Sequence, residues 1–306
     1  MQRVDTQPAR ALAAARWELS LPGGRTVALG DRVRIAGVLN VTPDSFSDGG
    51  LWLDTGRAVA HGLELLEQGA DLLDVGAEST RPGGGVYGAG AAEVSADEET
   101  GRLLPVLRGL RERTAAPISV DTRKAAVARA ALDAGADLVN DVSLLGDPAM
   151  AATAAAAGCP LILMHSRGDV RTMQSQIRFD DVLNEVRDEL RDAMAAAERA
   201  GVAREQIVLD PGIGFGKTAE QNLLLIRRLD AFAALGRPLM VGASRKSFIG
   251  HLTGEPAARR IAGSLAAAAW AELGGAALLR VHDVPETFQF LRVFRALREA
   301  GEGSAR

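Results

Sequence analysis

Polar residues recur at one kind of place in this chain, directly after a short apolar run. They are Asn40, Glu78-Ser79-Thr80-Arg81, Asp121, Asn140-Asp141, His165, Asp210, Ser244-Arg245-Lys246 and Arg280-Val281-His282. They divide by chemistry. Asp121, Asn140 and Asp210 are short groups on separate runs, and they suit the amidine-like edge of a fused nitrogen heterocycle. A carboxylate accepts two N–H donors there, and an asparagine offers one donor and one acceptor. Arg81, Arg280 and His282, with Asn40, form a second set, donors suited to phosphate oxygens. All three lysines, Lys124, Lys217 and Lys246, also follow such runs, while every other basic residue apart from the histidines is arginine. Charges kept only for solubility scatter over helix faces, so their concentration in one place indicates a site. For Asp121-Thr122 alone, helix capping is an equally good explanation.

The elements that must carry these residues alternate. Strands are predicted at Arg34–Val41, Asp71–Ser79, Pro117–Thr122, Leu138–Ser143, Pro160–His165, Ile207–Pro211, Pro238–Ser244 and Ala277–Val284. Amphipathic helices are predicted at Asp54–Gln68, Glu93–Arg113, Lys124–Ala134, Asp180–Ala200, Ala219–Ala233, Pro256–Leu273 and Pro285–Arg298. Strand–helix alternation calls for parallel strands joined by crossovers. Eight strands in one run favour a closed (β/α)₈ TIM barrel over an open doubly wound sheet. In such a barrel the carboxyl ends of the strands gather the chemistry, which is where the polar residues stand. Residues 17–33 alternate around Pro22-Gly23-Gly24 and read as an N-terminal β-hairpin able to cover the barrel bottom. The division is therefore 1–33 tail and hairpin, 34–300 barrel and 301–306 tail, with Pro82–Gly90 a glycine-rich loop inside the barrel.

Composition narrows the function. The 306 residues carry Lys+Arg 35 against Asp+Glu 39, which leaves no footprint for nucleic acid or an anionic membrane. No run of about 18 apolar residues offers a membrane span. One cysteine, Cys159, excludes an internal disulfide framework and suits a reducing, cytoplasmic setting. Pro211-Gly-Ile-Gly-Phe-Gly-Lys-Thr218 approaches a Walker A loop, but Pro211 stands where its first glycine belongs, so ATP hydrolysis is rejected. His61 and His251 read as surface residues, and no spacing ties His165 or His282 to a zinc site.

From about Arg34 onward the chain resembles the dihydropteroate synthases, a pterin-binding family. Gly37-Val-Leu-Asn-Val-Thr-Pro-Asp-Ser-Phe-Ser-Asp-Gly-Gly50 and Asp74-Val-Gly-Ala-Glu-Ser-Thr-Arg-Pro-Gly83 resemble its first two signatures. Ser119-Val-Asp-Thr122, Val139-Asn-Asp-Val142, Leu163-Met-His165, Leu209–Lys217, Val241–Ser247 and Arg280–Val284 follow in the family's order. The resemblance implies joining of 4-aminobenzoate to 6-hydroxymethyl-7,8-dihydropterin diphosphate, with release of diphosphate. It implies that Asp121, Asn140, Asp210 and Lys246 hold the pterin, with Met164 and Phe215 packed near it. Asn40, Arg280 and His282 receive the diphosphate, Asn40 also lying near Mg²⁺. The first two loops, carrying Phe46, Asp48, Thr80, Arg81 and Pro82, close over the site, and Ser247 takes the aminobenzoate carboxylate. The catalytic set is then Asp48, Arg81, Lys246, Arg280 and His282. Of the lysines, Lys246 has the ligand role, Lys217 is a rim residue and Lys124 is structural. A homodimer is also implied.

The sequence departs from the family pattern at Ala77, at Ser166-Arg167, and in a longer second loop, Gly84–Gly90, which holds the only tyrosine, Tyr87. Other readings are a folate-binding methyl-transfer module, which has no need of the Ser-Thr-Arg-Pro loop, and a non-catalytic paralogue. An aldolase-type barrel with an imine at Lys246 is the reading from another chemical class.

Overall fold

The computed structural model describes residues 15–41, 51–78, 94–168, 173 and 177–300. The first elements among the described residues form an antiparallel hairpin, β1 (Trp17–Ser20) and β2 (Thr26–Leu29). Eight strands follow: β3 (Arg34–Asn40), β4 (Leu72–Gly76), β5 (Ile118–Thr122), β6 (Leu138–Asp141), β7 (Leu161–Met164), β8 (Ile207–Asp210), β9 (Met240–Val241) and β10 (Leu278–Val281). They pair in parallel in the order β8-β7-β6-β5-β4-β3-β10-β9. A parallel bridge between Leu209 and Leu239 joins the two ends and closes the TIM barrel. The helices around it are α1 (Leu51–Glu67), α2 (Ala96–Arg111), α3 (Ala125–Asp133), α4 (Met150–Ala157), α5 (Val182–Arg199), α6 (Ala219–Arg227), α7 (Ser247–Thr253), α8 (Ile261–Leu273) and α9 (Val284–Glu299).

The strands read as apolar runs because both faces are buried. Outward residues such as Leu39, Leu73, Val120, Val139, Leu163, Leu209 and Leu279 pack under the helices in the main core. The inward residues change along each strand. At the amino ends they are Ala36, Leu72, Leu138, Ile162, Val208, Met240 and Leu278, a separate apolar layer. Toward the carboxyl ends the same faces carry Asp74, Asn140, Asp210 and Arg280, two residues on by the strand period. The lower half of the barrel is thus a plug, and the upper half is polar.

The hairpin seals the plug, as its alternation predicts. Leu19, Leu21 and Leu29 join the lower apolar layer, and the Ser20 backbone exchanges hydrogen bonds with the Gln206 amide at 2.9 and 2.6 Å. Two aspartates entering β4 and β6 lace the same end together. Asp71 accepts the Ile35 N–H at 2.9 Å and pairs with Arg32 and Arg34. Asp137 accepts the Ile118 N–H at 2.9 Å and pairs with Arg111 and Arg25. Leu19→Ala is expected to cost about 2–4 kcal/mol in denaturant unfolding. Ligand binding at the opposite end of the barrel should stay unchanged.

Several boundaries differ from the sequence reading. The predicted helix 219–233 ends at Arg227 and gives way to a 3₁₀ turn, Leu229–Leu235, which buries Leu229, Phe232 and Leu235 at a spacing of three. The predicted helix from Pro256 starts at Ile261, after a 3₁₀ turn over Ala257–Arg259. Helix α4 was not predicted, since an alanine run favours helix but shows no amphipathic contrast. Strand β9 has two residues. Pro238 and Leu239 nevertheless extend the pairing through their carbonyls, which accept the Leu209 N–H at 3.0 Å and the Ala277 N–H at 2.8 Å.

Candidate active site

The upper inward layer holds a buried charge network. Arg280 of β10 donates through Nε to Asp74 Oδ2 and through Nη2 to Asp121 Oδ2, both at 2.5 Å. Asn140 Nδ2 donates to Asp74 at 3.2 Å. Asp74 and Asn140 are each 1% exposed. Two acceptors in this layer, Asp121 Oδ1 and Asn140 Oδ1, are buried with no hydrogen-bond partner among the described residues. An unpaired buried acceptor is costly, so a pair of them on adjacent strands marks where a donor-rich ligand fits. The capping alternative for Asp121 falls away, because α3 is capped by Lys124 without a side-chain bond.

Asp210 stands across this space. Its Oδ1 accepts the Gly212 N–H at 2.7 Å. Burial pushes its carboxyl up to about 6, against that hydrogen bond and the cations nearby. Burial likewise raises Asp121, with Asp74 adding to the rise and Arg280 opposing it. The Lys246 ammonium lies 4.0 Å from the centre of the Phe215 ring. Burial, then repulsion from Arg280, pushes it down to about 7. Asp121, Asn140, Asp210, Lys246 and Arg280 line one cleft together with Val142, Met164, Ile213, Phe215 and Gly242. Its apolar residues Val142, Met164 and Phe215 cluster with Met173. The cleft therefore has an apolar wall, an acceptor edge and one lysine.

The loop after β8 builds part of that wall. Gly212 has φ +67° and Gly214 φ +85°. A Cβ on Gly212 would stand 1.8 Å from the His165 carbonyl oxygen, and one on Gly214 would stand 2.9 Å from Lys246 Cδ. Only glycine allows both approaches. Lys217 is not at the rim, as the sequence suggested: it is 3% exposed and bonded inside its own loop. This placement also removes any likeness to a phosphate-binding Walker lysine. Lys124 is structural as expected, pairing with Glu78 at 2.8 Å and Glu99 at 2.6 Å.

The phosphate-suited residues lie higher. Asn40 ends β3 and is exposed. His282 follows β10, with Nδ1 3.1 Å from Ser244 Oγ. Burial and then Arg280, Arg245 and Lys246 push its imidazole down to about 3, so the ring is neutral at neutral pH. Ser247 opens α7 beside Lys246. Arg245 holds a left-handed φ of +57°, strained for a residue with a side chain. Ser264 Oγ accepts its N–H at 2.9 Å, Arg260 donates to its carbonyl at 3.1 Å, and Asp283 pairs with its guanidinium. These bonds keep the turn that precedes Lys246.

The structure thus brings together Asp121, Asn140, Met164, Asp210, Phe215, Lys246 and Arg280. Arg280, expected among the phosphate donors, reaches down into the acceptor layer and connects the two sets. Phe46, Asp48, Thr80, Arg81 and Pro82 lie outside the described residues. Glu78, just before the second of these segments, accepts the Val94 N–H just after it at 3.1 Å. Sequence reasoning missed Asp74, and it placed Ser244 at a strand end without giving it a role. Asp74 shares the inward parity of Leu72, and that spacing was the available signal. A larger cavity of about 700 Å³ lies at the barrel's amino end near Trp17, Arg237 and Arg295. Those arginines are engaged by the Ile207, Glu205 and Val33 carbonyls and, for Arg295, by Glu272 Oε1 at 2.9 Å, so the Glu272 carboxylate lining this cavity is paired with a cation of its own wall.

Comparison with known proteins agrees with this geometry. The family model described as "Pterin binding enzyme" matches residues 36–282. The dihydropteroate synthase of Escherichia coli strain K12 is 44% identical over 268 residues, covering 88% of this chain and 93% of that protein. The Xanthomonas albilineans dihydropteroate synthase structure with 4-aminobenzoic acid superposes with a TM-score of 0.84 at 45% identity, over 93% of this chain and 99% of the other. The same enzyme with 7,8-dihydropteroate gives a TM-score of 0.81 at 43% identity, over 92% and 98%. The barrel, the ordered motifs and these matches over most of the chain together show that it belongs to the pterin binding enzyme family.

Proposed function

We propose that this chain joins 4-aminobenzoate to the diphosphate ester of 6-hydroxymethyl-7,8-dihydropterin, giving 7,8-dihydropteroate and diphosphate, the dihydropteroate synthase reaction. The observation that carries this reading is the acceptor edge, where Asp121 Oδ1 and Asn140 Oδ1 are buried and unpaired among the described residues, in one cleft with Asp210. A pterin offers its amino and ring N–H groups to such an edge and its carbonyl to Lys246. Met164 and Phe215 provide the apolar wall for its flat ring. The relatives support the same reaction, since one is solved with 4-aminobenzoic acid, a substrate, and the same enzyme with 7,8-dihydropteroate, the product.

The difficult step is departure of diphosphate from the pterin methylene carbon. The electron-rich ring delocalises the positive charge left there, so the C–O bond breaks ahead of C–N bond formation. The aryl amine attacks through its lone pair and loses one proton as the new bond forms. Arg280 stabilises the charge leaving with diphosphate, and His282 and Arg81 donate to its oxygens. Asp48, Thr80, Pro82 and Phe46 have the roles that the family resemblance implies, Asp48 toward the cation and the others toward excluding water. Ser247 receives the aminobenzoate carboxylate.

Asn40 is the protein ligand proposed for Mg²⁺. It fits an ion carried in on diphosphate: it is exposed at the rim and offers a neutral oxygen, and Mg²⁺ keeps waters and substrate phosphate oxygens around one or two protein ligands. Among the described residues no cluster of three or more His, Cys, Asp or Glu stands ready for a metal alone. When bound, the ion supplies charge neutralisation of the leaving group.

Mass spectrometry of the product from both substrates tests the reading, and the expected product is dihydropteroate, formed faster with magnesium. Absence of dihydropteroate with and without the ion rejects it. The profile of kcat/KM against pH is expected to be a narrow bell, since it reports the free enzyme. Its acid limb follows protonation of Asp121 and then Asp210 as pH falls through about 7 and about 6. Its alkaline limb follows loss of the Lys246 charge as pH rises through about 7.

The partners in this reading are the small-molecule substrates and a second copy of the chain. Exposed Leu224, Leu252, Trp270, Val293 and Leu297 on α6 to α9 support a homodimer, with α8 packed between α6 and α9. Sedimentation equilibrium tests it. No described helix is long and apolar enough to cross a membrane, and the single buried thiol, Cys159, supports a cytoplasmic setting.

A further inference from the structure

The Lys217 ammonium is buried, and its hydrogen bonds all go to structure. It donates to the Gly212 carbonyl at 2.9 Å and the Phe215 carbonyl at 3.0 Å, and lies 3.0 Å from His165 Nδ1. Each carbonyl belongs to a residue that shapes the cleft. The N–H of Gly212 holds Asp210 Oδ1 at 2.7 Å. The ring of Phe215 underlies the Lys246 ammonium, and Gly214, between the two carbonyls, packs against the Lys246 stem. One buried cation therefore stands behind both the acceptor opposite Asp121 and the wall beneath Lys246.

The cation is itself oriented. His165 is 0% exposed, and its Nε2 lies 2.9 Å from Glu189 Oε2 on α5. Burial and the Lys217 charge push His165 down to about 4, so at neutral pH the ring accepts from Lys217 at Nδ1 and donates Nε2–H to Glu189. Arg167 pairs with Glu189 in turn. A capping box of Thr218 and Gln221 starts α6 directly after Lys217 and fixes the loop's far end. A surface lysine in this loop would leave its carbonyls to water and its turn free to shift.

We infer that Lys217 is a positioning residue for pterin: through the Gly212 and Phe215 carbonyls it sets the Asp210 carboxylate and the Phe215–Lys246 wall without touching the ligand. The inference rests on the pterin reading of the cleft. Loss of the three ammonium bonds should leave the barrel intact, because the loop glycines and the capping box remain. It should blur the acceptor edge and spare the aminobenzoate site.

Titration of wild type and Lys217→Met with 6-hydroxymethyl-7,8-dihydropterin diphosphate tests this, alongside circular dichroism. A folded Lys217→Met is expected to bind pterin at least about tenfold more weakly. Its KM for 4-aminobenzoate at saturating pterin should be unchanged. Wild-type pterin affinity in a folded variant overturns the inference, as does an equal loss for both substrates. If Lys217→Met does not fold, Glu189→Gln decides. Burial pushes Lys217 down to about 7, with Asp210 and Glu189 raising it and Lys246 and Arg167 lowering it. Lys246 is governed by Arg280, Asp210 and Asp121 instead. Removing the Glu189 charge should therefore pull Lys217 below Lys246, so that Lys217 loses its charge first and moves the alkaline limb of pterin affinity, set in wild type by Lys246, to lower pH. An unmoved limb overturns the inference. Failure of wild type to bind pterin would instead strike the functional reading.

Discussion

Arg280→Met is expected to lose about 3–5 kcal/mol of folding stability at neutral pH, together with turnover. The guanidinium is the cation bonded to both Asp74 and Asp121, and all three side chains are largely or wholly buried. Methionine fills similar space but leaves two carboxylates facing each other without compensation. The pH dependence gives the mechanism away. Burial and Asp74 already raise Asp121 while Arg280 opposes them, so removing Arg280 raises Asp121 further. A carboxyl raised in the folded state costs stability once it ionises and costs none when protonated in both states. The variant's deficit should therefore be largest above the raised value and shrink as the pH falls toward the ordinary carboxylate range. Denaturant unfolding at several pH values checks this, and a deficit constant with pH would show that the network is not electrostatic.

Asp210→Asn should separate binding from stability. Its Oδ1 is committed to the Gly212 N–H, so the asparagine will keep its oxygen there and turn its NH₂ toward the ligand. An acceptor for pterin N–H groups then becomes a donor facing donors. Pterin affinity is expected to fall by at least about a hundredfold, since a site built for a hydrogen bond rejects the mismatched partner strongly. Stability should move the other way. Burial raises Asp210 to about 6, and a carboxylate raised this far costs up to roughly 3 kcal/mol above that pH, a cost the amide avoids. A variant that binds poorly and melts higher is the expected combination, read by titration and thermal unfolding. Wild-type pterin affinity would remove Asp210 from the acceptor edge.

Much of the barrel is legible in the sequence because a strand buried on both faces must be an apolar run, and eight such runs alternate with helices. The hairpin was equally plain, since Leu19, Leu21 and Leu29 sit where alternation and a Pro-Gly-Gly turn place them. The site was legible only at strand ends. Asp121, Asn140 and Asp210 interrupt apolar runs at their carboxyl ends, where position alone marks them. Asp74 lies in mid-strand, and only the parity it shares with Leu72 shows that it faces the same interior. Lys217 follows its strand just as Lys246 does. What separates their roles is direction, one ammonium folding back onto its own carbonyls and the other entering the cleft. That difference depends on three left-handed glycines, Gly212, Gly214 and Gly216, acting with partners far away in sequence. Arg280 was assigned to phosphate by type, whereas its position also depends on two carboxylates from other strands.

In the proposed reaction a deep acceptor layer holds the pterin and a rim of donors holds the diphosphate. Calorimetric titration of wild type, Asp210→Asn and His282→Ala with 6-hydroxymethylpterin, and separately with magnesium diphosphate, measures it most directly. Asp210→Asn should lose the pterin and keep diphosphate, while His282→Ala should keep the pterin and bind diphosphate about tenfold more weakly. Parallel losses of both ligands in both variants would contradict it.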